Sequence, residues 1–262
     1  MDYRQIKRVA ISAAHEGATV LLKKLGRLSK INKKGAIDLV TDADTESEKT
    51  IIETIHTAFP DHSILAEESG LKQGTSACQW IIDPLDGTTN FAHSLGLFSV
   101  SIACAVDKDL ICGVVFNPVT NELFSAVKGD GAELNGNPIH VSNTTEIAES
   151  LLVTGFPYNI REVLDQIMDR LARCLAASQG VRRLGSAALD LCYVACGRFD
   201  GYWEQNLEPW DTAAGLLIAR EAGARVSDFA TRDYTVELPQ LLATNGKIHQ
   251  QMLDLINPGN NI

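Results

Sequence analysis

The sequence predicts an α+β fold of layered helices and sheets, and three observations predict it. Apolar residues recur at helical spacing through the first 27 residues. Strand-like apolar runs follow one another closely from Phe98 to Thr154. Helices and strands segregate in blocks instead of alternating regularly, which favours stacked layers over a regular βαβ winding. With 262 residues, 45% of them hydrophobic, the chain can form one large domain or two fused halves around a sizeable core.

The elements follow in order. Ile6, Val9, Ala13, Val20, Leu21 and Leu25 lie at helical spacing and predict an amphipathic helix over about 4–27. The polar, lysine-rich stretch 29–36, with Lys30, Lys33, Lys34 and Gly35, reads as a mobile loop. A second helix is expected over about 43–59, closed by Pro60, and Ser63-Ile64-Leu65-Ala66 as a short strand ending at Glu67-Glu68. Trp80-Ile81-Ile82 reads as a buried strand. Further strands are expected over 98–106, 110–116, 123–127 and 150–154, separated by turn signals such as Asp107-Lys108-Asp109. Helices follow over about 161–177, 186–196 and 210–221. Turn and strand come at 223–227, a late strand at 241–244 and a last helix over about 247–255.

Composition narrows the function classes. A charged fraction of 21% gives no sign of disorder. The net charge of −10 does not read as a nucleic-acid footprint. It also repels a phosphorylated ligand at long range, so a phosphate site here needs local positive charge, which carboxylate-held metal ions supply. None of the six cysteines forms a C-x-x-C pair, and several lie in apolar runs. They read as reduced thiols of a cytoplasmic protein, with Cys192 and Cys196 packed one helical turn apart. The N-terminus shows no signal-type apolar region, and no apolar run reaches the length of a membrane span.

The most informative stretch is Asp83-Pro84-Leu85-Asp86-Gly87-Thr88-Thr89-Asn90-Phe91. Proline removes a donor and fixes φ, while glycine frees the backbone. A sharp turn is therefore expected where the strand ends, with carboxylates, a carbonyl and free amides converging. Such a set suits Mg²⁺, which takes oxygen ligands from one or two carboxylates and substrate phosphate. Acidic clusters also stand at 42/44, 67/68 and 211. Asp42 or Asp44 can equally cap the following helix, and Asp211 can be a favourable charge in a first helical turn. The six histidines are scattered without metal spacing, and His93 reads as structural.

Taken together, these clusters resemble one family, the inositol monophosphatases, which are metal-dependent, lithium-sensitive phosphatases. The 83–91 stretch is similar to its first signature. Trp210-Asp211-Thr212-Ala213-Ala214-Gly215, followed by Glu221-Ala222-Gly223-Ala224, is similar to its second. Asp38-Leu39-Val40-Thr41-Asp42-Ala43-Asp44 and Ala66-Glu67-Glu68-Ser69 match its other acidic blocks. The segments 183–191 and 201–204 are most similar to bacterial members. The resemblance covers about 2–255.

The resemblance implies an αβαβα sandwich of the sugar-phosphatase type, with an N-terminal half (1–143) carrying most metal ligands. The C-terminal half (144–262) would carry much of the substrate pocket and the last ligand, with the site between the halves. It implies that Glu67, Asp83 and the Leu85 carbonyl hold one Mg²⁺, and that Asp83, Asp86 and Asp211 hold a second. A third ion would sit near Glu67 largely through water. Asp44 and Thr88 would orient and deprotonate the attacking water, and the amides of Gly87 and Thr88 would take phosphate oxygens. Glu204 would accept hydrogen bonds from polyol hydroxyls in a pocket lined by Asp86, Gly185, Ser186 and Ala187, with Ser186 equally a helix cap. The Lys30–Gly35 stretch matches a loop that closes over the site.

Thr89-Asn90 after Gly87-Thr88 follows the inositol-phosphatase pattern and disfavours adenosine 3′,5′-bisphosphate. Fructose 1,6-bisphosphate and other sugar or polyol phosphates stay open as substrates. Li⁺ inhibition and a homodimer are implied. Some bacterial relatives act in ribosomal RNA antitermination with the transcription machinery, so a protein-binding role is the competing reading, with Arg182-Arg183 as a candidate contact. The intact acidic set favours the enzyme.

Overall fold

The computed structural model describes residues 2–27, 31–33 and 39–257. Helix α1 (Tyr3–Lys24) starts where Asp2 accepts the amides of Arg4 and Gln5. Strands β1 (Ile31–Lys33) and β2 (Leu39–Thr41) pair antiparallel, and α2 (Asp42–Ala58) follows. Next come β3 (Ser63–Ala66), β4 (Gly70–Lys72), β5 (Cys78–Asp86), the short α3 (Thr88–Ala92), β6 (Ser99–Val106) and β7 (Asp109–Asn117). Strands β8 (Glu122–Val127), β9 (Gly131–Leu134) and β10 (Asn137–Pro138) end the first half of the chain. The second half runs β11 (Leu151–Thr154), α4 (Ile160–Ala177), β12 (Gly180–Arg182), α5 (Ala187–Ala195) and β13 (Gly201–Gln205). It closes with α6 (Pro209–Glu221), β14 (Arg225–Ser227), β15 (Gln240–Thr244) and α7 (His249–Ile256).

Two large sheets result. The first has eight strands in the order β10-β9-β8-β7-β6-β5-β3-β4 and is antiparallel except for β3 against β5. The second has five strands in the order β12-β11-β13-β15-β14, with β12, β11 and β13 parallel. The blockwise segregation read from sequence therefore holds for the first half only. In the second half, helices α4 and α5 separate three parallel strands, as parallel pairing requires a crossover connection.

Period-two alternation along the strands sorts the core into layers. Trp80 and Ile82 face α1 and α2, while Ile81 between them faces α5 and α6. In the second sheet Val153, Tyr202 and Ala243 face α5 and α6, while Leu152, Trp203 and Leu242 face α4 and α7. The order is αβαβα, with α5 and α6 as the shared middle layer. Their almost entirely buried surfaces explain their weakly amphipathic sequences, since both faces meet a sheet. Gly113 of β7 permits close approach of α6: a Cβ there would lie 2.7 Å from the Ala214 carbonyl oxygen.

Of the cysteines, all but the half-buried Cys196 are buried, and all six are free thiols. Burial pushes the Cys112 and Cys174 thiols up to about 12, which leaves them inert packing groups. No helix among the described residues is long and apolar enough to cross a membrane.

Candidate active site

The stretch 83–86 is not a turn beyond the strand, as the sequence suggested, but a bulge inside it. Asp83 pairs with Ser101 and Asp86 with Ser99, so three steps along β5 match two along β6. Pro84 sits in the bulge, where its missing N–H costs no ladder bond. The extra residue has a stereochemical effect. Residues three apart on a regular strand point to opposite faces, and one inserted residue returns the second to the face of the first. Leu85 accordingly packs with α1 and α2, while Asp86 joins Asp83 on the side of α5 and α6. The Leu85 amide donates to Asp83 Oδ1 at 2.9 Å and fixes the bend.

Four helix starts converge on this bulge. At α2, Asp44 Oδ2 accepts from the Thr41 amide (2.8 Å) and hydroxyl (2.5 Å). Its Oδ1 lies 3.3 Å from the Thr88 hydroxyl, which lies 3.1 Å from the Leu85 carbonyl. At α3, Gly87 takes φ +99°, and a Cβ there would crowd the Leu97 and Gly185 carbonyls at 3.0 and 3.2 Å. At α5, Asp86 Oδ2 accepts from the Ser186 hydroxyl (2.5 Å) and the Ala188 amide (2.8 Å), and its Oδ1 from the Ala187 amide (3.3 Å). At α6, Pro209 opens the helix and Asp211 Oδ2 accepts the Glu208 amide at 2.8 Å. Helix N-termini carry partial positive charge and favour anions.

A cleft of about 550 Å³ brings together Glu67, Asp83, Leu85, Asp86, Thr88 and Asp211. A smaller adjoining recess shares Asp86, Gly87, Thr88 and Asp211 and adds Gly185, Ser186, Ala187 and Glu204. Asp44 reaches the cleft through Thr88. Glu67 follows β3 directly, and its amide donates to the Ile82 carbonyl at 3.2 Å. Asp42 turns away from the cleft to Lys24, at 2.8 Å. His93 is exposed at the end of α3 and lines neither space. Of the Lys30–Gly35 stretch only 31–33 belong to the described residues, and Asp38 lies outside them.

The electrostatics are those of crowded like charges. Burial raises the Asp83 carboxyl well above its ordinary range, and the charges of Glu67, Asp86 and Asp211 raise it further. Asp211 keeps part of its surface open to the cleft, yet desolvation and the Asp86 charge raise it as well. Burial brings Asp86 to about 6, against the opposing pull of Ser186 and the α5 amides, and Asp44 to about 6, against Thr41. Glu204, 8% exposed, is pushed up to about 7 by burial, while the Tyr202 hydroxyl donates to its Oε2 at 2.6 Å.

Among the described residues no lysine or arginine pairs with Asp83, Asp86 or Asp211. Also among them, no three His, Cys, Asp or Glu side chains are drawn into a coordination-sized group. The donor set is nevertheless all oxygen, and its mutual repulsion is the kind that a hard divalent cation relieves.

The sequence reading missed several lining residues. Tyr158, Asn159 and Asn206 come from connections with no chemical signature, and Asn206 Nδ2 donates to Asn159 Oδ1 at 3.1 Å. Arg183, one of the two arginines read as a candidate contact for a protein partner, also lines the recess, with its guanidinium 5.7 Å from the Phe156 ring centroid.

A layered αβαβα body with carboxylates of one strand and several helix starts meeting in a cleft is the architecture of a class of phosphatases. The chain belongs to the inositol monophosphatase family, whose family model matches residues 2–258. It is 48% identical over 253 residues to the inositol-1-monophosphatase of Synechocystis sp., covering 96% of this chain and 88% of that protein. It is 44% identical to the Nus factor SuhB of Haemophilus influenzae, covering 95% of each. The solved inositol monophosphatase of Anabaena (Nostoc) sp. superposes with a TM-score of 0.89 at 41% identity, covering 98% of this chain and 96% of that one.

Proposed function

We propose that this phosphatase hydrolyses inositol monophosphate with Mg²⁺. The observation that carries the reading is the bulge that turns Asp83 and Asp86 to one face, opposite Asp211 at the start of α6. Glu67, Asp83 and the Leu85 carbonyl would hold one ion, and Asp83, Asp86 and Asp211 a second, with a third near Glu67. When bound, Mg²⁺ lowers the pKa of attacking water and neutralises charge on the phosphate and the leaving oxygen.

The chain's own groups supply the rest. The Thr88 hydroxyl donates toward Asp44 and offers a lone pair to a water, so the pair orients that water and relays its proton. An Asp44 carboxyl at about 6 is ionised at neutral pH yet more basic than an ordinary aspartate, as a general base should be. The amides of Gly87 and Thr88 take phosphate oxygens at the start of α3. On the substrate side Glu204 Oε2 is engaged by Tyr202, and its remaining acceptor capacity serves polyol hydroxyls beside Gly185, Ser186 and Ala187. The site lies between an N-terminal half (1–143) and a C-terminal half (144–262).

A second reading of the substrate rests on Arg183, the one cationic residue that lines the cleft or the recess among the described residues. It favours a sugar or polyol phosphate with a second anionic group, such as fructose 1,6-bisphosphate. A homodimer and Li⁺ inhibition belong to the main reading. The relatives named Nus factor SuhB support a separate role beside the transcription machinery, which loss of the carboxylates would spare.

Phosphate release from inositol 1-phosphate, fructose 1,6-bisphosphate, adenosine 3′,5′-bisphosphate and 2-glycerophosphate, with and without Mg²⁺, tests the reading. Mg²⁺-dependent release led by inositol 1-phosphate and suppressed by Li⁺ supports it. A different leading substrate keeps the chemistry and changes the specificity, and no release from any of the four counts against both.

A further inference from the structure

Three contacts of α2 reach three of the segments that line or adjoin the cleft. Asp44 faces Thr88. One turn on, the buried Ser47 hydroxyl donates to the Pro84 carbonyl at 3.1 Å, inside the β5 bulge. The next residue, Glu48, is 3% exposed, and its Oε2 accepts the amide of Glu68 at 2.8 Å. A glutamate this buried is uncommon, and its hydrogen bond joins residues twenty apart in the chain.

The position of that bond gives it meaning. Glu67 has its own amide on the Ile82 carbonyl, which continues the β3–β5 ladder by one residue. Beyond Glu67 the ladder stops, and the next amide, that of Glu68, is taken by Glu48. The backbone on either side of Glu67 is thus held, on one side by the sheet and on the other by α2. Without Glu48 the 67–69 turn would keep its ends in β3 and β4, paired at Ala66 and Gly70, but the Glu68 amide would lose this acceptor in a half-buried place, a costly arrangement.

We propose that Glu48 is a positioning residue for the cation site: by holding the Glu68 amide it sets where Glu67 presents its carboxylate. The inference rests on the assignment of Glu67 as a Mg²⁺ ligand. Glu48 lines neither the cleft nor the recess and touches no reacting atom. Ser47 performs the matching task for the Asp83–Asp86 bulge, so a single rigid helix sets the spacing between the two acidic segments. Partners of this kind, outside the ligand shell, change metal affinity by roughly tenfold to hundredfold when removed.

The test is Mg²⁺ binding by calorimetry to the full-length protein without substrate, beside the Mg²⁺ dependence of inositol 1-phosphate hydrolysis. Glu48→Ala should weaken Mg²⁺ binding by about tenfold or more and raise the Mg²⁺ concentration for half-maximal rate by a similar factor. That factor should exceed the fall in kcat at saturating Mg²⁺. Glu48→Gln keeps an acceptor oxygen in place and should recover most of the affinity. Glu48→Asp keeps the charge but falls one methylene short, and should behave like Glu48→Ala.

Circular dichroism and the melting temperature establish that each variant is folded, and Glu48→Asp carries the test if Glu48→Ala is not. Two results would overturn the inference while sparing the metal reading. One is wild-type affinity in Glu48→Ala and Glu48→Asp. The other is a loss in Glu48→Gln as large as in Glu48→Ala, since charge and not the held turn would then matter. Wild-type protein that binds no Mg²⁺ would sink the metal reading and this inference together.

Discussion

Gly155 and Glu204 compete for the same space: a Cβ on Gly155 would stand 1.9 Å from Glu204 Oε2. The glutamate lies in the recess only because the facing residue after β11 has no side chain. Gly155→Ala should therefore push Glu204 off its Tyr202 partner and cost about 1–3 kcal/mol of stability, as overpacking does. KM for inositol 1-phosphate should rise more than kcat falls. Unchanged KM with unchanged stability would show that the loop yields instead.

Tyr202→Phe removes the hydroxyl that donates to Glu204 while keeping the ring. Glu204 would then rise above about 7, because the bond opposes the effect of burial. Its ionised form, the better acceptor for substrate hydroxyls, would appear only at higher pH. The pH profile of KM should shift to the alkaline side, and stability should fall by about 1.5–3 kcal/mol, the range for a hydrogen bond to a charged group. A superimposable profile would remove Glu204 from substrate recognition.

Asp83→Asn keeps the shape of the side chain and removes its charge. Turnover should drop by on the order of a thousandfold, since a ligand common to both proposed ions is lost. In EDTA at alkaline pH the variant should melt no lower than wild type, because Glu67, Asp86 and Asp211 no longer face a buried charge. Activity near wild type would refute the ligand assignment.

The metal-free protein should lose stability as pH rises from about 4 to above 7. Asp44 and Asp86 at about 6 and Glu204 at about 7 all lie above their ordinary values of 3.8, 3.8 and 4.5. A carboxyl raised on folding stabilises the native state most below its unfolded value, and that contribution is lost as pH passes through the folded value. Mg²⁺ should reverse the trend, raising the melting temperature more at pH 8 than at pH 5, because cations compete with protons for these oxygens. Thermal melts across this range with EDTA or Mg²⁺ would show it, and a Mg²⁺ effect independent of pH would contradict it.

The sequence made the long helices and the sheet core legible because their patterns are strong. The apolar period of α1 and the runs over β6 and β7 could be read directly. Residues 201–204 carry only a likeness to a family segment, although with Gln205 they form β13, the centre of the second sheet. That strand is short and fully buried, with Glu204 and Gln205 interrupting its apolar run, so neither period nor composition marks it. The carboxylates Asp83 and Asp86 were visible as residues, but their convergence was not. It depends on one extra residue in the β5–β6 register, which no local pattern records. Tyr158 and Asn206 escaped because loop residues join a site through tertiary placement alone.

Asp44 and Asp211 each spend one carboxylate oxygen on the start of their own helix, while Asp44 turns its other oxygen to the Thr88 hydroxyl and Asp211 lines the cleft. Their rotamers are thus selected when α2 and α6 form, so the entropy of ordering them is lost on folding and not again when an ion arrives. The same economy sets a point of failure. If the first turn of α6 frays, Asp211 loses its orientation while both sheets remain intact, and the site opens well before the protein unfolds. Affinity in such a cleft is limited by the stability of a single helical turn.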